Sequence, residues 1–225
     1  MNNNNRKFII ISLILFINSC ASLNLDNIAP SYREAFSSIK GAVYGYEDVG
    51  LTRQQIDNIP YASAQLKIGK GSKGLVILES SLNKKNTWVS ADKAIIVEKE
   101  GRIIRTSGLG NNLTFYDSPR QTFKDLLTNQ YPILSYFAYY SYDKPKLNSL
   151  KVLVEITIKD RQEVEILGRY KSLVLIEEKI SNDYINWKKV NRYWVDPETF
   201  FVWKSIQFIS PKLPEFQIEV TKKPA

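Results

Sequence analysis

From Ala62 onward the chain alternates apolar and polar positions in short runs divided by turn residues. Ala62, Ala64, Leu66 and Ile68 alternate with Ser63, Gln65 and Lys67, the mark of a strand with one buried face. Gly74 to Ser80 is an apolar run, and Asn83-Lys84-Lys85-Asn86 reads as a turn. Ala94 to Glu98 and Arg102 to Ser107 flank Lys99-Glu100-Gly101 and predict a hairpin. Gly108 to Asn112 reads as a loop. Leu150, Val152, Val154, Ile156 and Ile158 alternate without a break. Strands are then expected over Val164–Gly168, Ser172–Ile180, Ile185–Val195, Thr199–Ile209 and Phe216–Val220. Asn182-Asp183 and Asp196-Pro197-Glu198 supply turns between them.

Three segments carry helical signals. Tyr32, Ala35, Phe36, Ile39 and Val43 recur every three or four residues, predicting a helix from about Ser31 to Ala42. Thr52-Arg53-Gln54-Gln55 fits a capping box for a short helix that stops before Pro60. Pro119 to Leu127 predicts a third helix, with Ser118 as N-cap and Pro119 at the first position. Residues 131–142 are aromatic and ambiguous; as a strand they put Leu134, Tyr136, Ala138 and Tyr140 on one face. Closely spaced strands with short turns imply consecutive antiparallel pairing, with one face inward and one toward water. The expected fold is mainly β: a long antiparallel meander sheet, curved or partly closed into a barrel, with a few short helices packed on it.

The N-terminus obeys a different pattern. Arg6 and Lys7 precede the apolar run Phe8 to Ile17, then Asn18, Ser19 and Cys20, the one cysteine of the sequence. That run is about half of the roughly 20 residues a membrane-spanning helix needs. A basic start, an apolar middle and a small residue at the cut make a secretory signal. Ile17-Asn18-Ser19-Cys20 resembles the bacterial lipobox, which implies a diacylglyceryl group on the Cys20 sulfur, cleavage after Ser19 and acylation of the new amine. An uncleaved anchor with an ordinary buried cysteine is the alternative. The expected organisation is a cleaved signal over 1–19, a lipidated tether with a short helix over 20–50, and one β-rich domain over 51–225. Ala21 rather than aspartate after the cysteine resembles an outer-membrane sorting address.

Composition narrows the chemistry. The sequence holds no histidine, which excludes Ser-His-Asp, Cys-His and histidine–metal sites. With Cys20 committed to lipid, no thiol chemistry remains, and no cofactor or metal is expected. The net charge of +8 is spread along the chain rather than gathered in a block, so it reads as a solvated surface and not as a nucleic-acid interface.

A series of short strings then comes into register. They are Gln55-Ile56-Asp57-Asn58-Ile59-Pro60-Tyr61, Trp88-Val89-Ser90-Ala91-Asp92-Lys93-Ala94, Gly101-Arg102-Ile103-Ile104-Arg105-Thr106, Asn111-Asn112-Leu113, Gly168-Arg169 and Tyr193-Trp194-Val195-Asp196-Pro197-Glu198-Thr199. In this order, behind a lipobox, they resemble the group 4 capsule polysaccharide lipoproteins, the GfcB/YjbF family, over about residues 51 to 210. The resemblance implies a largely antiparallel β fold in an outer-membrane lipoprotein encoded with capsule or exopolysaccharide secretion genes; the lipid-anchored domain is expected to face the periplasm. It implies an accessory role in capsule or exopolysaccharide production or export, and no established enzymatic activity.

The candidate contacts with glycan or with export proteins are Trp88, Arg102, Arg105, Asn111 and Asn112, each with a plain structural reading beside it: core packing, strand-face charge or loop turn. Trp194 is expected to be substantially buried, with Arg192 and Asp196 at the sheet rim. A second functional class is an amphiphile carrier, in which a half-open apolar sheet holds an acyl chain under a lid formed by Tyr131 to Tyr142. A glycan hydrolase or lyase would need two carboxylates facing each other across one cleft.

Overall fold

The computed structural model describes residues 50–224 apart from positions 120 and 130. The lipobox, the tether and the helix expected over Ser31–Ala42 lie outside the described residues. Twelve strands form one sheet: β1 (Ser63–Ile68), β2 (Gly74–Leu82), β3 (Lys85–Ser90), β4 (Ile95–Lys99), β5 (Arg102–Ser107), β6 (Leu113–Asp117), β7 (Ser135–Asp143), β8 (Lys146–Ile166), β9 (Arg169–Asn182), β10 (Trp187–Val195), β11 (Val202–Gln207) and β12 (Phe216–Lys222). Two short helices accompany them, α1 (Arg53–Asp57) and α2 (Phe123–Thr128).

The expected meander is present. Sequential strands pair antiparallel from β6 through β12, β12 pairs with β1, and the ladder continues through β5. The sheet so curls into a nearly closed barrel whose seam lies between β5 and β6. At that seam the Leu113 N–H donates to Thr106 Oγ1 (3.0 Å). Closure follows from alternation: one face of each strand is apolar, and a sheet closed on itself buries that face without leaving long edges.

The lumen is filled by the protein's own side chains. Trp88, Phe123, Tyr193, Phe216, Leu113, Ile176 and Ile180 are all fully buried. Tyr140 stacks edge-on against Trp187 (5.9 Å) and Tyr116 (5.0 Å). The open apolar trough that an amphiphile carrier requires is therefore occupied. The supposed lid is part of the wall: Ser135–Asp143 is strand β7, with Ala138, Tyr140 and Tyr142 inward and Phe137 and Tyr139 outward.

Several boundaries differ from the sequence reading. Lys85–Ser90 is a strand rather than the end of a turn, and β6 was not expected at all. Both are short and lack clean alternation, so pairing with neighbours decides them. The third helix begins at Phe123, not Pro119, because Thr122 and Asp125 cap each other: Asp125 N–H donates to Thr122 Oγ1 (3.1 Å) and Thr122 N–H to Asp125 Oδ2 (2.9 Å). The strands expected over 150–158 and 164–168 are one strand, β8, kinked by a bulge between Ile158 and Arg161. Its middle, 159–163, is polar on both faces, so periodicity is lost while the ladder to β9 persists. The strand expected from Thr199 starts at Val202.

Beyond the bulge the β8–β9 hairpin runs past its neighbours to meet α1. The Arg53 guanidinium donates to the backbone oxygens of Leu167 (3.3 Å), Ile166 (3.0 Å) and Thr221 (2.8 Å). Ile56 and Ile59 pack on Leu75, with Leu167 alongside. Trp194 differs from expectation. Tyr193 and Val195 take the inward face, while Trp194 is half-buried on the outer face, packing with Val164, Ile166 and Leu173. Its indole N–H donates to Gln162 Oε1 (3.0 Å), so this tryptophan serves the hairpin extension rather than the lumen.

Candidate functional site

One mouth of the barrel collects the β2–β3, β4–β5 and β10–β11 turns, the N-terminus of α2 and the chain after β12. There the β3–β4 pair and the turns that flank it present three cross-strand contacts that change character from rim to core. Lys84 Nζ meets Glu100 Oε1 (2.9 Å) at the rim. Next, Asn86 Nδ2 donates to Glu98 Oε1 (2.9 Å), between directly opposed residues. Below them Trp88 faces Ile96, both fully buried. Positive φ at Asn83 and Lys84 and at Glu100 and Gly101 gives the paired left-handed geometry of tight hairpin turns.

The β4–β5 turn leans across the mouth. A Cβ on Gly101 would lie 2.4 Å from Val202 Cγ2, so only glycine permits this approach. Gln207 ties the turn down from the opposite wall, donating to Gly101 O (2.9 Å) and accepting from the Ile103 N–H (2.9 Å) and the Tyr193 hydroxyl (3.3 Å). On the far side, the Asp196 carboxylate accepts from the N–H groups of Glu198 and Thr199 (both 2.9 Å), which forms the expected turn. Burial alone would raise the Asp196 pKa; the hydrogen bonds to its carboxylate, those two foremost, outweigh it and leave the pKa below its ordinary value. The same turn forces Phe200 to φ 59°, an uncommon conformation for a bulky residue, costing on the order of 1–3 kcal/mol.

Between these turns lies a cleft of about 310 Å³. Its walls carry Glu98, Glu100, Asn86, Phe200 and Phe201, and Lys84, Lys124 and Lys223 stand around it. Lys124 Nζ lies 5.9 Å from the Phe200 ring centre and Lys223 Nζ 4.8 Å from that of Phe201. Glu98 is almost wholly buried and no cation pairs with it among the described residues. Burial raises its pKa above the ordinary glutamate value, opposed by the Asn86 amide and by the nearby Trp88 indole, whose N–H completes no hydrogen bond of normal geometry. The two carboxylates of the cleft come from one strand end, two residues apart, rather than from facing walls.

Deeper in the lumen sits a second buried carboxylate. Glu178 Oε1 accepts from Arg102 Nε (2.9 Å) and Nη2 (2.6 Å). The guanidinium lies over the Phe123 ring (3.9 Å) and within 5.6 Å of Tyr193. Burial alone would lower the arginine pKa; the Glu178 charge reverses this, and the net shift is upward. Burial first, then the same charge, pushes the phenols of Tyr116, Tyr136 and Tyr193 up.

The residues singled out by sequence are not brought together. Trp88 and Arg102 lie inside the barrel, and Arg105 is exposed on β5. Asn111 and Asn112 belong to the opposite mouth. Asn111 is buried, donating to Lys144 O (2.6 Å) and accepting from the Ser210 hydroxyl. Asn112 is bound to Asp143 through its backbone N–H and its side-chain amide (both 2.7 Å). As folded, four of the five spend their polar or aromatic groups on the protein itself. The cleft residues Asn86, Glu98, Phe200 and Phe201 escaped sequence reasoning. One signal was present: Glu98 holds the inward register of β4, two residues after Ile96, where an apolar residue is expected.

A family model described as "Group 4 capsule polysaccharide lipoprotein gfcB, YjbF" matches residues 36–221, and the chain belongs to that family. The uncharacterized lipoprotein YjbF of Escherichia coli strain K12 is 24% identical over 182 residues, covering 78% of this chain and 82% of that protein. The uncharacterized lipoprotein GfcB of the same organism is 27% identical over 95 residues, 42% of this chain and 44% of that one. The crystal structure of the hypothetical lipoprotein YmcC from Escherichia coli K12 shares the fold, with a TM-score of 0.69 at 20% identity over 84% of this chain and 96% of that chain. Among the described residues, no helix is long and apolar enough to cross a membrane.

Proposed function

We propose that this chain is an outer-membrane lipoprotein, held by acyl chains on Cys20 with its barrel facing the periplasm, and that it is a non-enzymatic accessory factor in capsule or exopolysaccharide production or export. The observation that carries this reading is the family match across 36–221 behind the lipobox ending at Cys20. Each buried methylene of a lipid chain contributes about 0.8 kcal/mol, and two or more chains hold stably where one does not. Residues 21–49 connect Cys20 to the described part of the chain, which begins at Gly50. The partners of such a factor are the polysaccharide itself or the proteins that export it. The filled lumen argues against an amphiphile carrier.

Deleting the gene in cells induced to make polysaccharide tests the role. Secreted or surface polysaccharide falls if the reading is right; an unchanged yield overturns it. Cys20→Ala, labelled with radioactive fatty acid, tests the anchor. The mutant remains an unlabelled full-length precursor, and label retained in it would show that another residue is acylated.

A further inference from the structure

We propose that the mouth cleft is a binding subsite for an acidic sugar residue of a polysaccharide, with Glu98 and Asn86 as the hydroxyl-binding pair and Lys124 and Lys223 as the contacts for the sugar's anionic group. The inference rests on the reading of the protein as a polysaccharide accessory factor, and adds to it a place and a ligand class.

Four observations converge. The cleft, at about 310 Å³, lies at the lower end of the roughly 300–1,000 Å³ usual for ligand pockets, the scale of a mono- or disaccharide. Its polar depth is one carboxylate and one amide locked side by side by their own hydrogen bond (2.9 Å), the amide oxygen accepting in turn from the Ser81 hydroxyl (2.8 Å), so the pair is held in place to meet a hydroxyl-bearing ligand. A buried carboxylate without a cation is destabilising where it stands, and a ligand hydroxyl donating to it relieves that desolvation. Phe200 and Phe201 present aromatic surface beside this pair, and Phe200 is held in a strained backbone conformation by the Asp196 turn. Strain of this kind persists only where surrounding structure enforces it, and it gathers at binding sites.

Charge sets the class of sugar. Of the three lysines, Lys84 is taken by Glu100 (2.9 Å). Among the described residues Lys124 and Lys223 form no salt bridge, and they lie over the rings of Phe200 and Phe201. Two exposed ammonium groups around the cleft, beyond the one that Glu100 takes, fit a uronate or another anionic sugar rather than a neutral one. Exposed lysines act through a screened field, so binding weakens with salt.

The test uses the full-length acylated protein in detergent, titrated calorimetrically with oligogalacturonides and glucuronate-bearing oligosaccharides, and with neutral galacto-oligosaccharides as the comparison. The acidic probes bind, more weakly as salt rises. Glu98→Gln remains folded and loses at least tenfold in affinity. Lys124→Ala with Lys223→Ala erases the preference for acidic over neutral probes. Acidic probes that fail to bind, or that bind the Glu98→Gln and double-lysine variants as well as the wild type, overturn the subsite. Should gene deletion still cut surface polysaccharide in that case, the accessory role stands without it. Should the cleft bind as described while deletion changes nothing, the subsite stands and the accessory role falls.

Discussion

Two glutamates are buried in this barrel, and they are treated differently. Glu178, on the β9 wall, is answered by the Arg102 guanidinium through two bonds to one oxygen, under the Phe123 ring. Glu98, at the mouth, is answered by a neutral amide and opens into a cleft. Arg102 and Glu98 stand four residues apart in the same hairpin, joined by the Gly101 turn. The first carboxylate is closed into the fold; the second is left for something outside it. A buried ion pair is weak evidence for net stability, but breaking one half leaves an uncompensated charge.

The largest effect should therefore follow Glu178→Ala, which strands Arg102 in the lumen and lowers the unfolding free energy by roughly 3 to 5 kcal/mol in urea denaturation. Combining Arg102→Met with Glu178→Ala should recover part of the loss, and with Arg102→Met alone as the fourth corner the cycle measures the coupling of the pair. A double variant no better than the single would show that the surrounding tyrosines, not the arginine, need Glu178.

Gly101→Ala strikes the hinge between the two sites. The residue has φ 85°, and the added methyl meets Val202. A loss of roughly 2 kcal/mol is expected by thermal melts, and Val202→Ala in the same chain should restore part of it by removing the steric share.

Glu98→Gln should act in the opposite direction. The folded state raises the Glu98 pKa above the ordinary value of 4.5, so folded protein holds this proton more tightly than unfolded. The stabilising contribution is complete below 4.5 and is lost as pH climbs through the raised value. Glutamine copies the protonated form. The variant should match wild type at low pH and exceed it by about 1 kcal/mol near neutrality, as melting midpoints across a pH series would show. No gain at pH 7 would mean that Glu98 is already fully satisfied in the fold, and the contrast with Glu178 would disappear.

Arg105→Ala marks the floor. Arg105 is exposed on β5, three residues from Arg102, and its removal should change stability by no more than about 0.5 kcal/mol. A larger loss would show that proximity in sequence to the ion pair matters as much as position in the lumen.

What the sequence determined by itself is the barrel's wall. Period-two alternation over Ala62–Ile68 and Leu150–Ile158, with turn residues at short intervals, leaves antiparallel neighbours as the simplest way to bury one face. The Asp196 turn and the Thr52–Gln55 capping box were also legible, because each is a contact between residues two or three apart. The family strings were legible as well, though as strings and not as a site.

Which polar residues face inward, and which of them meet, is settled by closure of the barrel. Arg102 and Glu178 are separated by 76 positions, and Gln207 reaches Gly101 across 106. Arg102, sealed against Phe123, and Arg105, in water, stand three positions apart in one strand whose alternation a bulge opposite Val97 and Glu98 interrupts; it is the contact of Arg102 with Glu178 and Phe123 across the lumen that seals it in. Trp194 shows the same limit: its strand is apolar on both faces near the turn, so only the hairpin extension from β8, packing on it from outside, fixes which side is which. The cleft is the extreme case. It exists because three turns, one helix end and the chain after β12 arrive at a single mouth, and that convergence is a property of closure, which no segment carries alone.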